Sequence, residues 1–143
     1  MKLELPDHKQ LLHTMVIPIR WGDMDAFGHV NNTVYLRYME TARIDLMRAA
    51  GFPFATGGAS VVIANLFCNF LRALEFPGDV LIRSYVGSVG RSSFDVYHDL
   101  LRTDGGDAVY ANGGSTVVCV DPASQKSQPM PAYLRDWLLQ GAA

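Results

Sequence analysis

The spacing of hydrophobic positions divides the chain into one helical segment with extended segments on both sides. Over residues 32–50, apolar side chains recur every three or four residues, which predicts one long amphipathic helix. Gly51 and Pro53 end it, because glycine accepts the left-handed conformation and proline cannot continue a helix. The positions predicted to form its buried face are Tyr35, Tyr38, Met39, Ala42, Leu46 and Ala49.

Outside this helix the hydrophobic period falls to two, which is typical of strands. Five strands are predicted, over residues 13–21, 59–74, 80–90, 92–103 and 108–121. Pro18 suits an edge strand because it cannot donate a ladder hydrogen bond. Gly113 and Gly114 predict a bulge or a close backbone approach. The final segment PAYLRDWLLQ predicts a short helix with Pro131 in its first turn.

This order of elements predicts an α+β fold. Tight turns between the later strands require antiparallel neighbours, and one long helix is available to cover the sheet. The expected architecture is an antiparallel five-stranded sheet wrapped around one long central helix, although other α+β arrangements also fit the pattern. The chain has 143 residues, the size of one domain, which we expect to span residues 1–143.

Composition narrows the class of partner. The formal net charge is −2, and the 12 lysines and arginines are scattered, so neither nucleic acid nor an anionic membrane is an expected partner. The first residues lack the apolar core of a signal peptide, and the longest apolar stretch is too short to span a bilayer. We therefore expect a cytoplasmic protein. Cys68 and Cys119 lie in apolar strands and are interpreted as reduced core residues.

The most informative stretch is RWGDMDAFGHVNNTVYLRYMETAR, residues 20–43. An aspartate ahead of a helix is usually a turn or capping residue, and Asp23 is interpreted as a turn acceptor or a partner of Arg20. Either Asn31 or Asn32 would cap the helix. Within the helix, the three-residue spacing of Glu40 and Arg43, and of Asp45 and Arg48, predicts two ion pairs.

The polar residues ahead of the helix also suit the cleavage of a thioester. The leaving thiolate has a conjugate acid with a pKa of about 8.5, so it departs with little or no protonation. Such a site needs an attacking group or base, which a carboxylate supplies, and a donor for the oxyanion. The unpaired N–H groups at a helix N-terminus supply that donor. An aspartate a few residues before a helix start brings both functions together.

The stretch DMDAFGHVNNTVYLRYMETAR, together with the element order, resembles the hotdog-fold acyl-CoA thioesterases of the 4-hydroxybenzoyl-CoA thioesterase type. The segments GRSSF (90–94) and VCVD (118–121) are weaker similarities. The resemblance implies that Asp25 is the catalytic carboxylate, since it stands three residues before Gly28 and five before Val30. It implies that the backbone N–H of Asn32 polarises the substrate carbonyl. It also implies a homodimer or homotetramer, with sheets joined edge to edge and active sites between subunits.

Substrate contacts are predicted around this aspartate and at one turn later in the chain. Coenzyme A carries phosphates, and Arg91 in the turn GRSS is the first candidate cation. Tyr35, Phe67 and Phe70 are candidates to line the acyl pocket. The full predicted substrate-binding set is Gly28, His29, Val30, Asn31, Tyr35, Arg91, Ser92 and Ser93. The four histidines show no ligand spacing, so neither a metal nor a cofactor is expected.

Three functions fit these residues. The first is an acyl-CoA thioesterase that hydrolyses an acyl or aryl coenzyme A. The second is a hydratase or dehydratase acting on acyl thioesters, which would pair His29 with Asp25. The third is a non-catalytic acyl-CoA binding module, in which Asp25 only caps the helix. The acyl group, and the choice between coenzyme A and an acyl-carrier protein, stay open.

Overall fold

The computed structural model describes residues 1–54 and 59–140. Its elements in chain order are β1 (Gln10–Pro18), a 3₁₀ turn (Trp21–Asp23), α1 (Asn32–Ala49), β2 (Ser60–Phe70), β3 (Asp79–Val89), β4 (Ser93–Arg102), β5 (Val109–Val120) and α2 (Ala132–Leu139). The five strands form an antiparallel sheet of order β1-β3-β4-β5-β2. The predicted α+β class and five-stranded antiparallel sheet are confirmed. Residues 55–58 and 141–143 of the predicted domain lie outside the described residues.

Helix α1 begins and ends where its capping residues predict. The Asn31 side chain accepts the N–H of Thr33 at the start, and Gly51, with φ +88°, follows the end. The predicted buried face is correct except for Ala49, which is exposed. The chain folds back after Gly51, where the N–H of Phe52 donates to Met47 O at 3.0 Å. Phe52 and Met47, both buried, therefore close this end of the core instead of Ala49.

The core follows the length of α1 in two clusters. The cluster at its N-terminal half packs Tyr38 and Ala42 with sheet residues such as Ile82 and Leu100. The cluster at its C-terminal half includes residues of α2, among them Leu134. The sheet is thus covered by α1 together with α2, and not by one helix alone.

Two predicted ion pairs on α1 are wrong. Glu40 pairs with Arg37 on the exposed side of the helix, and not with Arg43. Arg43 is instead buried against the sheet, where its Nη1 lies 3.5 Å from Ser115 Oγ. Asp45 likewise pairs with His13 of β1, at 2.7 Å, and not with Arg48. Spacing on the helix allows either partner, and the position of the sheet decides between them.

Strand β2 ends at Phe70, four residues before the predicted end at residue 74. The N–H groups of Leu71 and Arg72 both donate to the carbonyl of Tyr110 at 2.9 Å, and the chain then leaves the sheet. Leu74 is fully buried beneath the loop that precedes α1, and its carbonyl accepts the N–H of Val30 at 2.8 Å. The apolar sequence continues through this segment because it is buried, although it is not a strand. β1 also lies three residues earlier than predicted, since residues 21–23 form the 3₁₀ turn.

The two cysteines are free, as predicted, and neither is placed for chemistry. Cys119 is buried and Cys68 is half-buried. Burial raises the pKa of the Cys68 thiol to about 12, so this thiol is protonated at neutral pH. Among the described residues, no helix combines the length and the apolar character needed to cross a membrane.

The backbone at Gly113 and Gly114 lies close to neighbouring residues, which is one of the two structures that the sequence predicted. A Cβ on Gly113 would overlap the carbonyl oxygen of Phe67 on the neighbouring strand and would lie 3.1 Å from Met39 Cε of α1. A Cβ on Gly114 would lie 2.5 Å from the Tyr97 ring. The pairing of β5 with its neighbours shifts elsewhere, so no bulge occurs at these glycines.

We predict that Gly113→Ala lowers the free energy of unfolding by about 1–3 kcal/mol, because the added methyl group overpacks the contact between β2, β5 and α1. Urea unfolding of the variant and the parent measures this difference. Gly22→Ala is the matched control, since a Cβ there meets nothing within 4 Å. Equal stability of the Gly113 and Gly22 variants would contradict the close approach.

Candidate active site

Asp23 fixes the loop between β1 and α1. Its side chain is 3% exposed, and its Oδ2 accepts the Arg20 backbone N–H at 2.9 Å and the Tyr38 hydroxyl at 2.8 Å. The Arg20 guanidinium donates to Oδ1 at 3.0 Å. Burial raises the pKa of Asp23, but these hydrogen bonds outweigh burial and hold the pKa below its ordinary value. The predicted roles of Asp23 as turn acceptor and Arg20 partner are confirmed, while the Tyr38 contact carried no signal in the sequence.

The chain between Asp25 and His29 makes a tight turn. Met24 and Val30 face each other as an antiparallel bridge, and the N–H of Asp25 donates to His29 O at 2.9 Å. Gly28 closes the turn with φ +79°, a conformation that a side chain disfavours, and its N–H donates to Asp25 O at 3.0 Å. The turn therefore presents the Asp25 side chain beside the start of α1.

Both oxygens of the Asp25 carboxylate accept hydrogen bonds. Oδ1 accepts the Phe27 N–H at 2.9 Å, and Oδ2 accepts the Asn31 side-chain amide at 3.0 Å. The other end of the Asn31 amide, Oδ1, accepts the N–H of Thr33 at 2.9 Å and caps α1. Asn31, and not Asn32, is thus the N-cap, and it joins the carboxylate to the helix start.

Asn32 is the first residue of α1, and its N–H is an unused donor. The N–H groups of Thr33 and Val34 both donate to Asn31. Within residues 1–54 and 59–140, the N–H of Asn32 meets no acceptor. It lies at the positive end of the helix dipole, where a developing negative charge is stabilised.

A cavity of about 420 Å³ opens between this loop and the chain that follows β2. Six of the predicted site residues line it: Asp25, His29, Val30, Asn31, Asn32 and Tyr35. The remaining lining residues are Phe27, Phe70, Leu71, Arg72 and Ala73. Gly28 lines a neighbouring depression that also reaches Asp25. The described residues contain no group of three or more His, Cys, Asp or Glu side chains arranged to hold a metal ion.

Tyr35 anchors the far wall of this cavity. Its hydroxyl accepts the N–H of Leu74 at 2.8 Å and donates to Arg72 O at 3.3 Å, and its ring packs edge-on against Phe70 with centroids 5.1 Å apart. Phe70 was predicted to line the acyl pocket and does line this cavity. Phe67 does not, because it lines a second cavity on another side of α1. The wall residues after Phe70 were missed, since the strand was predicted to run through them.

His29 lies at the cavity but does not contact the Asp25 carboxylate. Its Nε2 lies 3.6 Å from Glu75 Oε1, and both side chains are largely exposed. The two Asp25 oxygens are occupied by Phe27 and Asn31. A His29–Asp25 pair, the arrangement that a hydratase would use, is therefore not formed.

Arg91, Ser92 and Ser93 were predicted to contact the substrate. Within one chain they lie away from this cavity. They lie in the turn after β3 and at the first residue of β4, Ser93, whereas the Asp25 loop packs against the residues just before β3. β3 has 11 residues, so about 35 Å of extended chain separates the two ends. The carbonyls of Arg91 and Ser92 bind Met130 N and Cys119 N. A role for this turn in substrate binding stays a prediction.

Comparison with known proteins identifies a family. The model of the thioesterase-like superfamily matches residues 19–138. The long-chain acyl-CoA thioesterase FadM of Escherichia coli K12 is 28% identical over 126 residues, which cover 87% of this chain and 95% of FadM. The 1,4-dihydroxy-2-naphthoyl-CoA hydrolase of Acaryochloris marina is 26% identical over 84% of this chain and 90% of its own. Among solved structures, PA2801 from Pseudomonas aeruginosa is 36% identical, with a TM-score of 0.84 over 88% of this chain and 97% of its own.

We predict that Asp23→Asn destabilises the fold by about 1–3 kcal/mol at pH 7, because it weakens a buried network of charge-assisted hydrogen bonds. The folded pKa of Asp23 lies below its ordinary value of 3.8, so the carboxylate contributes its stability above that pH. The contribution is lost as the pH falls through the folded pKa. The difference between parent and variant therefore shrinks in acid. Urea unfolding at pH 7 and pH 3 measures it.

Asp107→Asn is the matched control, since this aspartate is exposed on a turn. It should change the unfolding free energy little at either pH. An Asp23→Asn difference that is the same at both pH values would contradict a stabilising charge on Asp23.

Proposed function

The chain belongs to the thioesterase-like superfamily, and on that premise we propose that it is an acyl-CoA thioesterase, which hydrolyses an acyl or aryl coenzyme A to the free acid and coenzyme A. One observation carries this proposal: Asp25 and Asn32, whose N–H is an unused donor, line the same cavity. Two relatives that match most of the chain support it, because one is named a long-chain acyl-CoA thioesterase and the other a naphthoyl-CoA hydrolase.

In the proposed reaction, the thioester carbonyl oxygen lies against the Asn32 N–H, and its carbon faces Asp25. Asp25 either attacks this carbon, forming an anhydride that water then hydrolyses, or removes a proton from an attacking water. The negative charge on the carbonyl oxygen is stabilised by the Asn32 N–H and the helix dipole, and one such donor contributes roughly 3 kcal/mol. On the first route the C–S bond breaks and the coenzyme A thiolate leaves as the anhydride forms; on the second it leaves as the water adduct collapses, and on both routes it takes up a proton.

The hydrogen bonds to Asp25 suit this role because they orient the carboxylate without consuming it. Each carboxylate oxygen offers two acceptor sites. Phe27 N–H uses one on Oδ1, and the Asn31 amide uses one on Oδ2. An acceptor site remains on each oxygen for a water molecule or for the substrate carbon.

Two observations favour hydrolysis over the alternatives. A hydratase would need His29 beside Asp25, but His29 faces Glu75. A non-catalytic binding module would need Asp25 only as a helix cap, but Asn31 already caps α1. Asp25 therefore is not the helix cap, although its carboxylate orients the capping side chain of Asn31.

The proposal also covers the specific thioesterase type and the oligomeric state. We assign the chain to the 4-hydroxybenzoyl-CoA thioesterase type of hotdog fold, with α1 as the central helix, and we propose a homodimer or homotetramer. β2 is an edge strand of the sheet, and its side chains Val62, Leu66 and Phe70 are exposed apolar groups. Such an edge favours pairing with a second strand. In that dimer the Arg91 turn of one subunit would bind coenzyme A phosphates at the cavity of the other.

We predict that Asp25→Asn lowers thiol release from acyl-CoAs by at least roughly a hundredfold, because the amide cannot act as nucleophile or base. A thiol-reactive dye, applied to a panel of aromatic, short-chain and long-chain acyl-CoAs, measures the release. Asp107→Asn serves as the control and should keep full activity. Undiminished release by a folded Asp25→Asn variant would remove Asp25 from the reaction.

We predict that Asn31→Asp keeps the helix cap but moves the acid limb of the pH–rate profile to higher pH. Aspartate and asparagine cap helices about equally well, so the cap itself is kept, but repulsion between the two carboxylates should lower the unfolding free energy at neutral pH. The new carboxylate would lie where the Asn31 amide now donates to Asp25, and like charges raise the pKa of a carboxyl group. Activity lost at neutral pH should therefore return as the pH rises. A uniform loss at every pH would contradict this electrostatic coupling.

A further inference from the structure

A second cavity, of about 210 Å³, lies between α1, β2 and the centre of the sheet. It shares no lining residue with the cavity that holds Asp25. Its lining residues are Thr33, Leu36, Arg37, Met39, Glu40, Arg43, Leu66, Phe67, His98, Gly114 and Ser115. The reaction proposed above uses none of them, so their polar groups need another explanation.

Arg43 is a buried cation without an ion-pair partner among the described residues, and the charge of Glu40 raises its pKa less than burial lowers it. It is only 7% exposed, and among residues 1–54 and 59–140 its one hydrogen bond is the long contact of Nη1 with Ser115 Oγ, at 3.5 Å. No described carboxylate lies within ion-pair distance, because Glu40 pairs with Arg37 instead. Burying an unpaired guanidinium is unfavourable because the charge loses its hydration without gaining a partner. An anion that entered the cavity would reduce that cost.

His98 adds a second unsatisfied group to the same cavity. Its ring is 1% exposed, and Nδ1 lies 2.8 Å from Ser84 Oγ on β3. In the part of the chain that the structure describes, the Nε2 atom of His98 has no hydrogen-bond partner. Burial, and then the charge of Arg43, lower the pKa of His98 to about 3, so the ring is neutral at pH 7. With Nδ1 assigned as the acceptor from Ser84, Nε2 carries the proton and is a free donor.

The donors and the walls of this cavity together fit one class of ligand. Arg43, His98 and Ser115 supply N–H and O–H donors at the buried end, and Leu36, Leu66 and Phe67 supply apolar walls. We propose that this second cavity binds a carboxylate that is carried on an apolar chain. A guanidinium matches a carboxylate with two parallel hydrogen bonds, and the neutral His98 adds a third donor.

The charges that face the cavity agree with a single carboxylate. Arg43 and Arg37 are positive, Glu40 is negative, and His98 is neutral, which leaves one net positive charge. A group with one negative charge balances it, whereas a doubly charged phosphate would leave a net negative charge near Glu40. The volume corresponds to about seven water molecules, so it holds a short chain as well as the carboxylate.

Such a carboxylate has two sources, which one experiment separates. The first is the far end of a substrate acyl group, and this arm rests on the proposed thioesterase function. The second is a free carboxylic acid. The probes for the first are the ω-carboxyacyl-CoAs from succinyl-CoA to sebacoyl-CoA, each compared with the unsubstituted acyl-CoA of the same length. The probe for the second is free adipate. Calorimetry measures the binding of adipate without any hydrolysis.

We predict that Arg43→Met lowers the ratio of kcat/KM for adipoyl-CoA to that for hexanoyl-CoA by at least tenfold. Methionine keeps an unbranched apolar stem like that of the arginine but removes its charge and its donors. Arg48→Met is the matched control, since Arg48 lies on the same helix in its exposed last turn, and its ratio should not change. Ser115→Ala, a smaller change that keeps Arg43, should lower the ratio by roughly threefold.

The outcomes are distinct. A ratio that depends on Arg43, without binding of free adipate, identifies the acyl chain as the source. Binding of adipate by the parent and not by Arg43→Met supports the carboxylate site even if no acyl-CoA releases thiol, in which case the proposed function fails and the site stands. An unchanged ratio in both cavity variants, together with no adipate binding by the parent, would mean that the cavity holds only water and would overturn the proposal.

Discussion

The hydrogen bond between the Tyr38 hydroxyl and the buried Asp23 carboxylate, at 2.8 Å, is the contact on which the geometry of the candidate site depends. It joins the loop after β1 to the second turn of α1. The carbonyl of Asp23 also accepts the N–H of Asn31 at 2.9 Å, so the residue before the helix is held at the same point. A buried carboxylate is tolerated only with such donors. The Asp25 turn lies between these two attachments, and it cannot move far without breaking one of them.

Asn31 carries this constraint from the fold to the chemistry. One end of its amide caps α1 through Thr33, and the other end donates to the Asp25 carboxylate. The group that positions the proposed attacker therefore also sets where the helix, and with it the free N–H of Asn32, begins. Attacker and oxyanion donor are held relative to each other by a single side chain. Preorganisation of this kind is how electrostatic stabilisation of a transition state becomes effective.

Sequence predicts this part of the molecule well because its determinants are local. The helix period, the N-cap asparagine and the glycine turn all lie within residues 20–51. Prediction is harder where distant chain segments decide. Phe67 and Phe70 lie three residues apart on β2, so they fall on opposite faces of the strand and line different cavities, and which of them contacts an acyl group stays a prediction. Arg43 was paired with Glu40 by helical spacing, whereas strands β4 and β5 bury it beside His98 and Ser115.

The two cavities differ in charge in a way that suits one ligand with two ends. The first offers the proposed attacking carboxylate and a free N–H, and a second anionic group placed there would be repelled by Asp25. The other offers the buried donors of Arg43 and His98. Edge strand β2 contributes to both cavities, through Phe70 to the first and through Leu66 and Phe67 to the second. A second copy paired along that edge, as proposed, would cover both cavities together. The same strand would then exclude water from the reacting thioester and from the buried cation.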